Sequence, residues 1–309
     1  MKKTKTTIYI ILILLLIFLV SVNLKPFFEN YHLSGYSEKW NDVSKFREDV
    51  SEHGCTTSCV ISTSIIIKDV EPENSLFVSI GVEKKYTERE ITTIQEFVSH
   101  GGKAIIADDF GYGNCLAEKF GIMFYNKKLW SENYSKASTF TVATAVIDEE
   151  TYSIMLNIPT GMRVLGNITA EIICSVAGYI DSDRGVPNAL DLLDEKGVFP
   201  VILEIKYGMG SIVFISDPGI FINGMIDRED NRIFLSALIH HLLSNNGRVI
   251  FDESRHIKRN AYIIEMINNP EIVGIATVLL IAGAAILIHK TTGKKKWMHR
   301  FELKYRHRG

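Results

Sequence analysis

From Gly210 to Arg232 the chain reads as one strand, one polar turn and the start of one helix, and this stretch narrows the folds open to the rest. The apolar run Ile212 to Ile215 has the length of a strand buried on both faces and is too short for a helix. Ser216-Asp217-Pro218-Gly219 ends it, since proline removes a ladder donor and glycine permits positive φ. Asp217 then stands at a strand's carboxyl end, where open α/β sheets place their ligand crevices. Asn223, Asp230 and Asn231 follow closely enough to face the same crevice. From Arg232, the residues Ile233, Phe234, Ala237, Leu238, His241 and Leu242 recur at helical spacing, with Asp230 or Asn231 as the natural N-cap.

The same grammar appears earlier in the chain. Leu76 to Ile80 is a compact apolar strand, and Thr87 with Glu90 forms a capping box that opens a helix. Ile91, Ile94, Phe97 and Val98 line one face of that helix, Gly101-Gly102 closes it, and Lys103 to Ala107 is the next strand. Asp108-Asp109-Phe110-Gly111-Tyr112-Gly113 follows at once. Trp40 to Val50 carries a helical stripe, Cys59 to Ile67 is rich in β-branched residues that suit short edge strands, and Arg248 to Phe251 is a last strand running into Asp252-Glu253. Strand and helix alternating through short loops predict an α/β fold, flavodoxin-like, with a mainly parallel sheet and helices on both faces. Between Phe124 and Tyr207 the pattern changes. Thr139 to Ala145, Ile168 to Ala177 and Phe199 to Lys206 read as short strands, and Gly208-Met209-Gly210 as a tight hairpin.

Two apolar runs, Thr7 to Val22 and Ile272 to Ile288, approach the ~20 residues of a membrane-spanning helix. Three lysines precede the first; eight basic residues against Glu302 follow the second, leaving −12 on everything between. Basic flanks stay cytoplasmic. The sequence therefore predicts a cell-membrane protein with a cytoplasmic tail over 1–6, spans over 7–23 and 271–289, a basic cytoplasmic tail over 290–309, and one extracytoplasmic domain over 24–270 with its core at about 34–256. An acidic domain of this kind argues against nucleic acid as a partner. In an oxidising space Cys55 and Cys59 are close enough in sequence to bridge, and Asn133 and Asn167 open glycosylation sequons.

Asp108-Asp109, Asp217 and Asp252-Glu253 all arrive at strand ends. Converging carboxylates could hold a divalent cation or split their pKa values into an acid/base pair. Alternatively, each ties its own turn by accepting backbone N–H groups. The candidate crevice comprises Asp108, Asp109, Asp217, Asn223, Asp230, Asn231, Asp252 and Glu253. Gly111-Tyr112-Gly113 lacks the third glycine of a dinucleotide fingerprint, and no cofactor is predicted.

The segments TEREITTIQEFVSHGGKAIIADDFGYGN and GSIVFISDPGIFINGMIDREDNRIFLSALIHHLL, with VIFDESRH, resemble the DUF4350 domain. The most specific marks are Asp217-Pro218, Phe221, Asn223, Asp230-Asn231 and Asp252-Glu253. The resemblance implies a class I glutamine amidotransferase-like α/β domain, tethered by a span on either side, with a MoxR-type ATPase or other membrane proteins as partners. Amidotransfer needs a cysteine on a strand-to-helix elbow. The turn after Lys103 to Ala107 has none, Cys115 lies past it, and no Gly-x-Ser-x-Gly occurs. The sequence reading is therefore a non-catalytic, ligand- or partner-binding domain of a cell-envelope assembly. Its alternative is a metal- or carboxylate-dependent hydrolase acting on envelope material at the same crevice.

Overall fold

The computed structural model describes residues 33–181, 194–244 and 246–256. Three apolar segments of the sequence become strands with little or no solvent contact: β2 (Ser75–Ile80), β3 (Lys103–Ala107) and β10 (Gly210–Ile215). They lie side by side and parallel, with Leu76 opposite Lys103 and Ser211 opposite the same lysine. β11 (Arg248–Asp252) adds to the free side of β2, and β1 (Thr56–Val60) adds to β11, both parallel.

The other six strands run antiparallel. β9 (Glu195–Tyr207) returns from β10 through the two-residue turn Gly208-Met209, and β8 (Ala170–Ile180) pairs with β9. β4 (Ile122–Trp130) joins β8 and carries β7 (Thr160–Val164) at the edge. β5 (Phe140–Ile147) and β6 (Glu150–Asn157) form a hairpin that meets β8 at Ala145–Cys174. The result is one mixed eleven-stranded sheet among the described residues, with the path β1-β11-β2-β3-β10-β9-β8-β4-β7.

This corrects the sequence expectation of a mainly parallel, flavodoxin- or amidotransferase-like sheet layered by helices. Parallel pairing stops at β10. The middle of the chain folds instead as hairpins, whose local antiparallel pairing needs no crossover helix. β5 shows the period-2 burial of a strand with one open face. β4, β6 and β7 carry no strand signal in the sequence; of Cys59 to Ile67, expected as short edge strands, Cys59 and Val60 end β1 and the rest runs into a 3-10 helix over Ser64–Asp69.

Four α-helices accompany the sheet among the described residues. Phe46 and Val50 of α1 (Ser44–Glu52) share one core with Phe234 and Leu238 of α4 (Asn231–Leu242). Ile94 and Phe97 of α2 (Glu88–Ser99) share the other with Leu116 of α3 (Asn114–Ala117). The capping box forms as expected: Glu90 N–H donates to Thr87 Oγ1 at 3.3 Å, and Thr87 N–H donates to Glu90 Oε2 at 2.9 Å.

The membrane placement is corrected as well. Among the described residues no helix is long and apolar enough to cross a membrane. The two runs from which the spans were expected, and both basic tails, lie outside the described residues.

Candidate functional site

After β3 the chain turns toward the α2–α3 core, and after β10 toward the α1–α4 core. Neighbouring strands whose loops leave for opposite faces make a topological switch point. Asp108, Asp109 and Asp217 stand there together, at the ends of paired strands whose last partners are Ala107 and Ile215. Asp252 ends β11 and Glu253 follows it, and β2 separates β11 from β3. Two strand spacings are about 10 Å, so the expected single crevice is two separate clusters. No group of three or more His, Cys, Asp or Glu among the described residues is arranged to hold a metal ion.

Each carboxylate at the switch point has local work. Asp108 accepts Val82 N–H at 3.2 Å and Gly113 N–H at 2.6 Å. The loop wraps it so closely that a Cβ on Gly111 or Gly113 would lie 2.5 or 2.7 Å from its carboxylate, so glycine is required at both. Asp217 accepts Gly219 N–H at 2.7 Å, and its other oxygen accepts Asn157 N–H. Burial, outweighing these N–H bonds, pushes Asp108 up to about 6 and Asp217 up to about 7, and the charge of Asp109 raises both. Asp109 is half-buried, takes Phe110 N–H at 2.6 Å, and is itself raised by burial.

The second cluster is a buried polar lattice. Asp252 accepts Ser64 Oγ at 3.0 Å, Tyr86 Oη at 3.1 Å and Ser254 Oγ at 2.5 Å. Glu253 accepts Ser34 Oγ and Gly35 N–H at 2.9 and 2.8 Å. Arg255 donates to Glu90 at 2.8 Å and lies 4.6 Å over the Tyr86 ring. Burial pushes Glu90 upward, but bonds from Thr87 and Thr63 and the Arg255 charge hold it below the usual carboxylate range. Burial raises Asp252. Sequence reasoning missed Glu90 and Arg255 as partners because they are 165 residues apart. Glu253 and His256, three residues apart, come only to 4.0 Å.

Asn223, Asp230 and Asn231 act differently from expectation: each pins a wall of one groove. Asn223 donates to Lys39 O at 2.7 Å and accepts Lys45 N–H at 2.9 Å, while Gly224 N–H bonds Trp40 O at 2.7 Å, which sets the Trp40 loop. Asp230 occupies the N-cap of α4 without capping it, and accepts Ser153 N–H of β6 at 2.8 Å. Asn231 accepts Met155 N–H at 2.9 Å and donates to Met155 O and Met225 O at 2.9 and 3.0 Å.

The groove so framed has a volume of about 510 Å³ and is lined by Trp40, Phe140, Met155 and Met225, with Asn157 between them. Both methionines are buried, whereas Trp40 is 68% exposed. Three left-handed residues border it: Lys136 at φ 64° and Glu229 at φ 42° line it, and Ile158 at φ 58° follows Asn157. For a β-branched residue before proline that conformation is an outlier, costing roughly 1–3 kcal/mol. Bonds from Ile158 N–H to Thr139 O and from Leu129 N–H to Pro159 O, both 2.8 Å, hold it. Trp40 and the methionines carry no sequence signal beyond their apolarity; the groove arises only where the Trp40 loop, residues 135–140, the end of β6 and residues 224–229 meet.

The remaining candidates stand apart. Cys55 and Cys59 are free thiols. Cys59 lies in β1 and Cys55 just before it, and four residues of extended chain span about 13 Å, beyond disulfide reach. Asn167 is exposed, and Asn133, also exposed, donates its carboxamide to Val142 O at 2.7 Å.

A family model described as "Domain of unknown function (DUF4350)" matches residues 35–239. No curated protein matches the chain. Among solved structures, the mmIFT52 N-terminal domain is 16% identical with a TM-score of 0.44, covering 58% of this chain and 80% of that one. The exo-beta-1,4-mannosidase Op5Man5 from Opitutaceae bacterium strain TAV5 is 14% identical with a TM-score of 0.32, covering 54% of this chain and 26% of the enzyme. A beta-galactosidase from Bacillus circulans sp. alkalophilus is 18% identical with a TM-score of 0.30, covering 54% of this chain and 22% of that one. Likeness this distant carries no argument about activity.

Proposed function

This chain belongs to the DUF4350 family, and from that premise we propose that it is a non-catalytic domain that binds a ligand or partner through the groove beside Trp40. One observation carries the reading: Asp217, Asn223, Asp230 and Asn231 spend their hydrogen bonds on the segments that form the groove. They are the frame of a binding surface and are turned away from chemistry. A volume of about 510 Å³ with an aromatic wall and a few polar groups is of the kind that takes ligands.

The family resemblance also implies kinship with class I glutamine amidotransferases. The thiol that amidotransfer would require is absent from the turn after β3. Cys115 lies inside α3, accepts Tyr86 N–H at 3.3 Å, and is pushed up by burial, which disfavours the thiolate. The partner class that the family resemblance implies is a MoxR-type ATPase.

The test sets two variants against each other. Binding of a retained partner or peptide is expected to fall in Trp40→Ala and to persist in Asp109→Asn. Turnover of esterase, peptidase or glycosidase reporter substrates by the wild type, abolished in Asp109→Asn, would overturn the proposal in favour of hydrolysis at the switch point.

A further inference from the structure

The turn of the β5–β6 hairpin is tied to the helix beside it through one imidazole. His241, in the last turn of α4, lies with each ring nitrogen against a carboxylate from a different element: Nδ1 is 2.9 Å from Asp148 Oδ1 and Nε2 is 3.0 Å from Glu204 Oε2 of β9. Ionised carboxylates only accept, so making both bonds at once takes a ring that donates from both nitrogens, the imidazolium. Neutral imidazole has a single N–H and keeps one of them. The two acceptors are not equal. Glu204 is buried and is also held by Lys206 at 2.6 Å, whereas Asp148 is exposed and water can replace its donor. A buried acceptor left unpaired costs more than an exposed one, so loss of the proton gives up the bond to Asp148.

Asp148 and Glu149 are the hairpin turn, both left-handed at φ 49° and 69°, and they join Ile147 to its ladder partner Glu150. Among the described residues β5 meets β8 at the single pair Ala145–Cys174, so the turn lies beyond the ladder to the main sheet. Ile147 stays packed in the core it shares with Phe234 and Leu238 of α4, which leaves the turn itself as the part able to loosen. Other charges surround the site. Glu171 of β8 stands opposite Glu204 and is exposed, Glu149 and Glu150 follow Asp148 and are exposed, and Lys103 of β3 stands in register with Ser211 and, across it, Lys206. On α4, His240 packs edge-on against His53, ring centres 5.2 Å apart. Burial opposes a charged ring at His241, but the bonds to Glu204 and Asp148 outweigh it and hold the proton above the ordinary 6.5.

We propose that His241 is a proton-operated latch on the β5–β6 hairpin: the imidazolium clamps Asp148 against α4, and deprotonation leaves the ring on Glu204 and frees the turn. The clamp is complete below pH 6.5 and is released as pH rises through the raised value. It does not rest on what the groove binds, although β6 runs from this turn to Met155 and Asn157 of the groove wall.

Hydrogen exchange of the full chain, read at the Ile147 and Glu150 amides and corrected for intrinsic rates, tests the latch. In the wild type, protection there is expected to fall roughly tenfold between about pH 5.5 and about pH 8.5, the worth of one charge-assisted hydrogen bond, while the buried strands β3 and β10 keep theirs. His241→Gln, uncharged at both pH values, should abolish the step. Asp148→Asn, at an exposed position whose left-handed backbone asparagine tolerates, should leave protection low at both. A wild type without the step overturns the latch, and so does a step that persists in His241→Gln, since another group would then be titrating. A step abolished by His241→Gln but left at full size by Asp148→Asn would overturn it too, because the proton would then tie α4 to β9 alone.

Discussion

The carboxylate of Asp217, at the end of β10, accepts the backbone N–H of Asn157, at the end of β6. This bond joins the parallel half of the sheet to the hairpin that carries Met155, and it anchors the residue before the left-handed Ile158. A residue marked in the sequence as a ligand candidate thus holds the groove's edge in place.

Replacing Asp217 by Asn should flatten the pH dependence of stability between about 4 and 7. Asp217 titrates in the folded state at about 7, against an ordinary 3.8. Between those values the folded chain keeps a proton that the unfolded chain has released. Its stabilising contribution is therefore full below 3.8 and is lost as pH rises through 7. The amide has one acceptor for the N–H groups of Asn157 and Gly219, so one goes unpaired at a cost of about 1–3 kcal/mol. Thermal melts across the pH range would measure both effects, and an unchanged slope in the variant would exclude Asp217 as its source.

Asn231→Ala should destabilise the domain by roughly 2–4 kcal/mol, since it strands buried backbone groups of Met155 and Met225. Urea denaturation reads the loss. A change below about 0.5 kcal/mol, typical of a surface site, would mean that Asn231 does not hold these segments.

Arg255→Met should cost on the order of 3–5 kcal/mol by leaving Glu90 and Asp252 buried without their cation. Adding Glu90→Gln should recover part of that loss. A double variant no more stable than Arg255→Met would show that the pair is not coupled.

The strands and helices around Asp217 were legible because each signal is local: a short apolar run, a proline-glycine stop, a threonine-to-glutamate capping box. Thr87 and Glu90 cap α2 as their spacing predicts. β6 and β7 were not legible, since Glu150–Asn157 and Thr160–Val164 become strands by pairing with β5 and β4. Tertiary partners override weak propensity there. The candidate residues were found, but their roles were not. Asn223 reaches back 184 residues to Lys39, and nothing in the sequence around position 223 announces that partner.

His241 should give stability that, like that of Asp217, is lost as pH rises. Burial lowers its pKa, but bonds to Glu204 at 3.0 Å and Asp148 at 2.9 Å raise it above the ordinary 6.5. Lys206 also holds Glu204, at 2.6 Å. The contribution is full below 6.5 and is lost as pH rises through the raised value. His241→Asn should therefore be more destabilising at pH 6 than at pH 9 in urea melts; equal effects would show that the imidazolium charge is not what ties α4 to β9.

Carbon-13 NMR of the aspartate carboxyl groups, with and without saturating magnesium or calcium, tests the central claim most directly. If these carboxylates are scaffold, Asp217 titrates near 7 and its curve does not move when the cation is added. A midpoint driven down by a unit or more, with Asp108 and Asp109 moving in step, would make the switch point a cation site and contradict the account.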